Sequence, residues 1–87
     1  MKPVIGPANQ IIEQALRLGI LCRPTRGIRV GVGEALELTE DGFYRVSASD
    51  EVAVPYSPSP VELICDWELT SWDLIRSEYR REVETPW

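Results

Sequence analysis

The hydrophobic pattern near the N-terminus is that of an amphipathic helix. Apolar residues recur there at the spacing of one helical face, at Ile11, Ile12, Ala15, Leu16 and Leu18. Asn9 can cap the first turn through its side-chain oxygen, and Gly19 can end the helix because glycine tolerates the left-handed conformation. The pattern predicts a helix of about ten residues, preceded by an N-terminal arm at residues 1–8.

Shorter apolar alternations farther along the chain predict strands. An alternating run predicts a strand at 28–32, and Val52 and Val54 predict a second short one. Three prolines in six residues then predict a loop at 55–60, because proline fits neither a helix interior nor a central strand.

The clearest local signal is a β-hairpin in the middle of the chain, and its register can be argued from side-chain pairing. A two-residue turn at 41–42 would place Leu36 opposite Ser47, which mismatches apolar with polar. A three-residue loop at 40–42 places Leu36 opposite Val46 and puts glycine at the left-handed position that such loops favour. The second register is therefore preferred.

The last third of the chain begins with a strong helix-start signal. Ser59 is a good N-cap, Pro60 suits the first helical position, and Glu62 completes a capping box. If the helix ran unbroken from 60 to 83, its apolar residues would lie on two sides. One stripe would contain Val61, Ile64, Cys65, Trp72, Ile75, Tyr79 and Val83. The second stripe would contain Leu63, Trp67 and Leu74.

Two explanations of these stripes stay open. Thr70 and Ser71 could start a new helix, so that two helices meet at 69–71 and both turn their apolar faces to one core. Otherwise the helix is continuous and the second stripe is exposed for another chain, with Trp67 partly exposed in the monomer. Exposed clusters of this kind mark interfaces, and tryptophan is enriched among their hot spots.

Together these elements predict one α+β domain over residues 1–87, in the order α-β-β-β-α, with an antiparallel sheet covered by helices. No apolar run approaches the ~18 residues that a membrane span needs, and the first residues lack the apolar core of a secretion signal. The sequence therefore predicts a cytoplasmic protein without a membrane partner.

The net charge of −5 is unevenly distributed. Residues 34–75 hold ten acidic residues against one arginine, which suits a basic partner and disfavours non-specific nucleic-acid binding by the whole domain. The segment 17–29 contains no acid and could instead contact phosphates or an acidic protein. Its candidate nucleic-acid contacts are Arg17, Arg23, Arg26 and Arg29.

The residues of catalytic and metal sites are scarce. The chain has no histidine to activate a serine or cysteine, and two cysteines, Cys22 and Cys65, cannot complete a zinc shell. Both cysteines are predicted to be buried free thiols because each lies in an apolar stretch, with one disulfide between them as the alternative. The glycines of the run GIRVGVG match neither a phosphate loop nor a dinucleotide fingerprint. The sequence thus predicts no enzyme activity, no cofactor and no metal.

These observations favour a small protein-binding module whose partner is another protein, including a second copy of itself in a homodimer. The interface candidates are Leu63, Trp67 and Leu74. Small acidic proteins without catalytic groups are common among phage-encoded accessory proteins and inhibitors, which makes that class a hypothesis. The alternative is a nucleic-acid-binding regulator that uses the arginine-rich segment 17–29.

Overall fold

A computed structural model describes residues 4–26, 29–50 and 52–84. Its elements are β1 (Ile5–Pro7), α1 (Ala8–Leu18), β2 (Leu21–Pro24), β3 (Glu34–Thr39), β4 (Gly42–Ser47), β5 (Val54–Tyr56), α2 (Pro60–Leu63), β6 (Asp66–Thr70) and α3 (Trp72–Glu84). In this part of the chain, six strands form one antiparallel sheet in the order β1-β6-β2-β3-β4-β5. The predicted α+β class with an antiparallel sheet is confirmed, and the sheet has more strands than the three expected.

The core has two parts because both faces of the sheet are covered. The cluster under α1 contains Ala8, Ile11, Ala15, Cys22, Val30, Leu36 and Trp67. The cluster under α3 contains Leu21, Ala35, Val46 and Ile75. Successive side chains of a strand point to opposite faces, so neighbours such as Leu21 and Cys22 are divided between the two clusters. The central strands therefore carry consecutive apolar residues.

The N-terminal arm predicted at 1–8 is wrong for the residues that the structure describes. Ile5–Pro7 form β1, which pairs with β6 at the edge of the sheet, and the helix begins at Ala8. Asn9 does not cap this helix, because Pro7 occupies the N-cap position. The predicted end is confirmed: Gly19 has φ +67°, and its N–H donates to the carbonyl of Ala15. Residues 1–3 lie outside the described part.

The strand predicted at 28–32 is also wrong. The strand in this region is β2, and residues 29–33 form bends and turns, while residues 27 and 28 lie outside the described part. Gly33 turns the chain with φ +76°, and the Glu34 carboxylate accepts a hydrogen bond from the N–H of Gly31 at 2.8 Å. Val30 is buried, although it lies in this loop and not in a strand.

The hairpin is present, but both registers considered from the sequence are wrong. Thr39 pairs with Gly42 across a two-residue turn, which places Leu38 opposite Phe43 and Leu36 opposite Arg45. The Thr39 hydroxyl stabilises the turn by accepting a hydrogen bond from the N–H of residue 41 and donating to the Gly42 carbonyl. The preferred register assumed one buried face, whereas both faces of β3 contribute to the core.

The loop predicted at 55–60 is shorter than expected. Residues 54–56 form β5, the outer strand of the sheet, and α2 begins at Pro60. Pro55 is compatible with a strand at this position because an edge strand has one side without a pairing neighbour. The irregular part is therefore limited to residues 57–59.

Residues 60–83 form neither one continuous helix nor two helices that meet directly at 69–71. They contain the single turn of α2, the strand β6 and then α3. The predicted new helix after Thr70 is confirmed, with the N–H of Leu74 donating to the hydroxyl of Ser71 at 3.3 Å. The segment before it is a strand, because its residues complete the sheet between β1 and β2.

Gly33 is the point where the loop before β3 touches α3, and replacing it should destabilise the fold. A Cβ at this position would lie 3.1 Å from the Cβ of Tyr79, in addition to the strain of a positive φ. We expect Gly33→Ala to lower the free energy of unfolding by about 2 kcal/mol in urea titrations. Gly42→Ala is the control, since its φ is +115° but a Cβ there would meet nothing within 4 Å. Equal losses in the two variants would show that α3 does not pack closely there.

Candidate protein-binding surface

The single turn of α2 is held in place by local hydrogen bonds. The Ser59 hydroxyl accepts from the N–H of Glu62 at 3.2 Å, and the Glu62 carboxylate accepts from the N–H of Ser59 at 2.8 Å. This is the predicted capping box, with Pro60 at the first helical position. After the turn, the indole N–H of Trp67 donates to the Glu62 carbonyl at 2.7 Å.

The polarity of this turn is inverted relative to an ordinary surface helix. Val61, Leu63 and Ile64 are 67%, 47% and 85% exposed, whereas the acidic residue between them, Glu62, is only 7% exposed. Carboxylates are rarely this buried unless they are paired, and adjacent exposed apolar side chains are characteristic of interaction sites. We call Val61, Leu63 and Ile64 the α2 apolar patch.

The buried carboxylate of Glu62 is satisfied by three neighbours. The carboxylate accepts hydrogen bonds from the N–H of Ser59 and from the hydroxyl of Tyr56. It also forms an ion pair with Arg29 at 3.2 Å. The Arg29 guanidinium also lies 4.4 Å from the centroid of the Tyr56 ring. These contacts explain why the acid points inward and the apolar residues point outward.

The ionisation of this cluster follows from the same contacts. Burial acts to raise the pKa of the Glu62 carboxyl, but the hydrogen bonds from Ser59 and Tyr56 and the charge of Arg29 together hold it below its ordinary value. Burial, followed by the hydrogen bond to Glu62, raises the pKa of Tyr56 to about 12. Glu62 is therefore anionic and Tyr56 is neutral near pH 7.

The prediction that Trp67 is partly exposed is wrong. Trp67 lies in β6, is 0% exposed and packs against Phe43 with ring centroids 6.1 Å apart. Its side chain points to the α1 face because β6 lies between β1 and β2, where Trp67 pairs with Gly6 and Pro24. A residue that the chain itself buries completely is not available to a partner.

The other two predicted interface residues are exposed, but on different faces of the molecule. Leu63 belongs to the α2 apolar patch, and α2 contacts α1, the helix that covers one face of the sheet. Leu74 is 56% exposed on α3, the helix that covers the opposite face of the sheet. One compact interface therefore cannot be centred on both. The exposure of Val61 and Ile64 was not expected from the sequence, because the helical pattern placed them in the same stripe as Trp72.

The four candidate arginines are not gathered into one basic surface. Arg23 lies on the α3 face, where its Nε donates to Glu68 at 2.8 Å and its terminal nitrogens contact Glu78. Arg29 contacts Glu62 near the other face. Arg17 and Arg26 are exposed. Nucleic-acid binding stays a prediction that depends on these last two.

The cysteines differ in their surroundings, although both are free thiols. Cys22 is buried as predicted, and burial raises its pKa to about 12, so the thiol is protonated at neutral pH. Cys65 is only half-buried, contrary to the prediction, and its thiol donates to the Val61 carbonyl at 3.1 Å. The difference arises because Cys65 follows α2 at the surface, whereas Cys22 lies in a central strand.

The structure describes no acidic, cysteine or histidine cluster that could hold a metal ion within residues 4–26, 29–50 and 52–84. None of its described helices is long and apolar enough to cross a membrane. In comparisons with known proteins, no family model, no curated protein and no solved structure matches the chain.

Proposed function

We propose that this chain is a protein-binding module and that the α2 apolar patch is its contact surface. The observation that carries the proposal is the inverted polarity of α2, in which Glu62 is buried while Ile64 and its apolar neighbours face solvent. An isolated apolar side chain at a surface is ordinary, but a rigid turn that exposes three of them together is not.

The rigidity of the patch supports binding. The capping box, the indole hydrogen bond of Trp67 and the thiol of Cys65 all fix the backbone that presents Val61, Leu63 and Ile64. Little ordering entropy is then lost when a partner covers the patch. Full burial of one Val, Leu or Ile side chain is worth about 1.5–3 kcal/mol, so three of them can supply the centre of an interface.

The proposal covers two kinds of partner, a second copy of the chain and a different protein. The net charge of −5 opposes close approach of two copies at low salt and favours a basic partner protein. Self-association is therefore expected to strengthen as salt rises, whereas binding to a basic protein is expected to weaken. The salt dependence distinguishes these two forms of the proposal.

Polar substitution of the patch should weaken association strongly without unfolding the chain. We expect the double variant Leu63→Ser/Ile64→Ser to weaken binding at least about thirtyfold, because two central apolar contacts are lost. The measurements are sedimentation velocity for self-association and capture of interacting proteins on the immobilised chain. Exposed positions contribute little to stability, so the thermal midpoint should change by only a few degrees.

Leu74→Ser is the matched control, since it removes a leucine of similar exposure from α3 on the opposite face. It should bind as the wild type does. If Leu74→Ser weakens association and the patch variant does not, the interface lies on α3 and the proposed surface is wrong. If the wild type neither self-associates nor captures any protein that the patch variant fails to capture, the proposed function is refuted.

A further inference from the structure

A cleft of about 460 Å³ opens between the end of α1, the end of β3 and the start of α3. Its walls include the apolar residues Ile20, Leu21 and Leu38 and the ring of Trp72, with Glu37 as its only charged lining residue in the described part of the chain. The cleft is separate from the α2 apolar patch, because none of the patch residues lines it.

The cleft exists because β2 and β3 pair at a single position, Cys22 with Leu36. Beyond that pair the chain turns away, and the N–H of Ile20 donates to the carbonyl of Ala15 at 3.1 Å. Leu38 lies two residues after Leu36, so its backbone groups point in the same direction, toward β2. No described strand residue pairs with Leu38 on that side, so the edge of β3 that borders the cleft has no neighbouring strand there.

The carboxylate of Glu37 gives this cleft its charge. Glu37 is half-buried, and its side chain makes no hydrogen bond or ion pair with any residue that the structure describes. Glu40 and Asp41, in the hairpin turn that follows β3, add negative charge nearby. Trp72 already makes one cation–π contact, in which the Arg76 guanidinium lies 5.4 Å from its ring centroid. Arg76 pairs with Asp73 at 3.6 Å and does not line the cleft.

We infer that this cleft binds an arginine side chain carried by an extended polypeptide segment. The carboxylate of Glu37 pairs with the guanidinium, the indole of Trp72 offers an aromatic face, and the apolar walls contact the methylene stem. Arginine is preferred to lysine because its planar group can stack and pair at once. A polypeptide is preferred to a small cation because the edge of β3 at Leu38 has no neighbouring strand and can pair with a peptide main chain.

Three small probes test the inference on the whole protein by backbone and indole NMR shifts. N-acetyl-arginine methylamide should shift the signals of Leu38 and Trp72 in a saturable way. N-acetyl-citrulline methylamide, its uncharged isostere, should bind at least about tenfold more weakly, because a charge-assisted hydrogen bond is lost. The N-propylguanidinium ion keeps the guanidinium, its methylene stem and the same net charge but lacks both peptide groups, so it should also bind more weakly than the arginine probe.

Two charge-matched variants identify the carboxylate. Glu37→Gln should weaken binding of the arginine probe about tenfold, whereas Glu40→Gln, which removes the same charge outside the cleft, should have at most a twofold effect. Absence of shifts at Leu38 and Trp72, equal binding of citrulline, or equal effects of the two variants would overturn the inference. N-propylguanidinium binding as tightly as the arginine probe would identify a small-cation site and refute a polypeptide ligand.

The inference and the proposed function can fail separately. Loss of arginine binding in Glu37→Gln, with patch-dependent association unchanged, would support both as independent properties. Arginine binding that persists in the Leu63→Ser/Ile64→Ser variant is expected, because the patch does not line the cleft.

Discussion

Trp67→Ala is expected to remove most of the stability of the fold. The side chain is completely buried, packs against Phe43 and donates its indole N–H to the Glu62 carbonyl. Truncating a buried tryptophan costs about 3–5 kcal/mol, and a chain of this length has a total stability of about 4–13 kcal/mol. Circular dichroism with urea titration should show a chain that is largely unfolded or unfolds at very low denaturant.

Two milder variants show whether packing or the hydrogen bond dominates. Trp67→Phe keeps an aromatic ring and loses the N–H donor, so we expect a loss of about 1–2 kcal/mol. Trp72→Ala should cost less than Trp67→Ala, because Trp72 is only half-buried at the start of α3. If Trp67→Ala kept its thermal midpoint and lost association instead, Trp67 would be an interface residue and the buried position would be wrong.

Arg23→Met is expected to destabilise the fold by about 3 kcal/mol. The arginine is 13% exposed and contacts Glu68, Glu78 and the carbonyl of Glu34, so it joins β2, β3, β6 and α3. Methionine preserves the apolar stem but leaves two neighbouring carboxylates without their cation. Removing one partner of a largely buried ion pair is costly for this reason. Urea unfolding of the wild type and variant at neutral pH measures the loss.

A second substitution isolates the electrostatic part of that loss. In the Arg23→Met background, Glu78→Gln should be neutral or stabilising because it removes the repulsion with Glu68. In the wild-type background the same change should destabilise, since it breaks the contact with Arg23. If the stability losses of the Arg23→Met and Glu78→Gln single variants simply added in the double variant, Arg23 would act through packing and not through charge.

The ion pair also predicts how stability depends on pH. The hydrogen bond from Arg23 is the main cause that lowers the pKa of Glu78, opposed by burial and assisted by the N–H of Gly33. A carboxyl whose folded pKa is lowered stabilises the fold above its unfolded pKa, and this contribution is lost as the pH falls through the folded pKa. Thermal midpoints of the wild type should therefore fall on acidification, and those of Arg23→Met should fall less. Glu62 contributes with the same sign in the wild type and in Arg23→Met. The difference between their slopes of thermal midpoint against pH therefore reports the ion pair of Arg23 with Glu78.

Local chemistry was readable from the sequence wherever one or two residues decide the backbone. Gly19 ends α1, and Ser59 with Glu62 starts α2, because a left-handed glycine and a capping box act within one turn. The α+β class was also readable, since alternation and helical spacing are properties of short windows. Even β6 carried a local signal: the run DWELT alternates polar and apolar residues as a strand does, but the capping box before it favoured a helix.

The candidate surface and the cores were decided by tertiary structure. β6 lies between β1, from the N-terminus, and β2, and that pairing turns Trp67 inward and leaves Val61, Leu63 and Ile64 outside. The hairpin register likewise depends on both faces of β3 being covered, one by α1 and the other by α3. A short stretch of sequence does not indicate which strands become neighbours in the sheet. Burial is set by contacts between residues far apart in sequence, so Trp67 could not be assigned to the core until β1 and β2 were seen beside it.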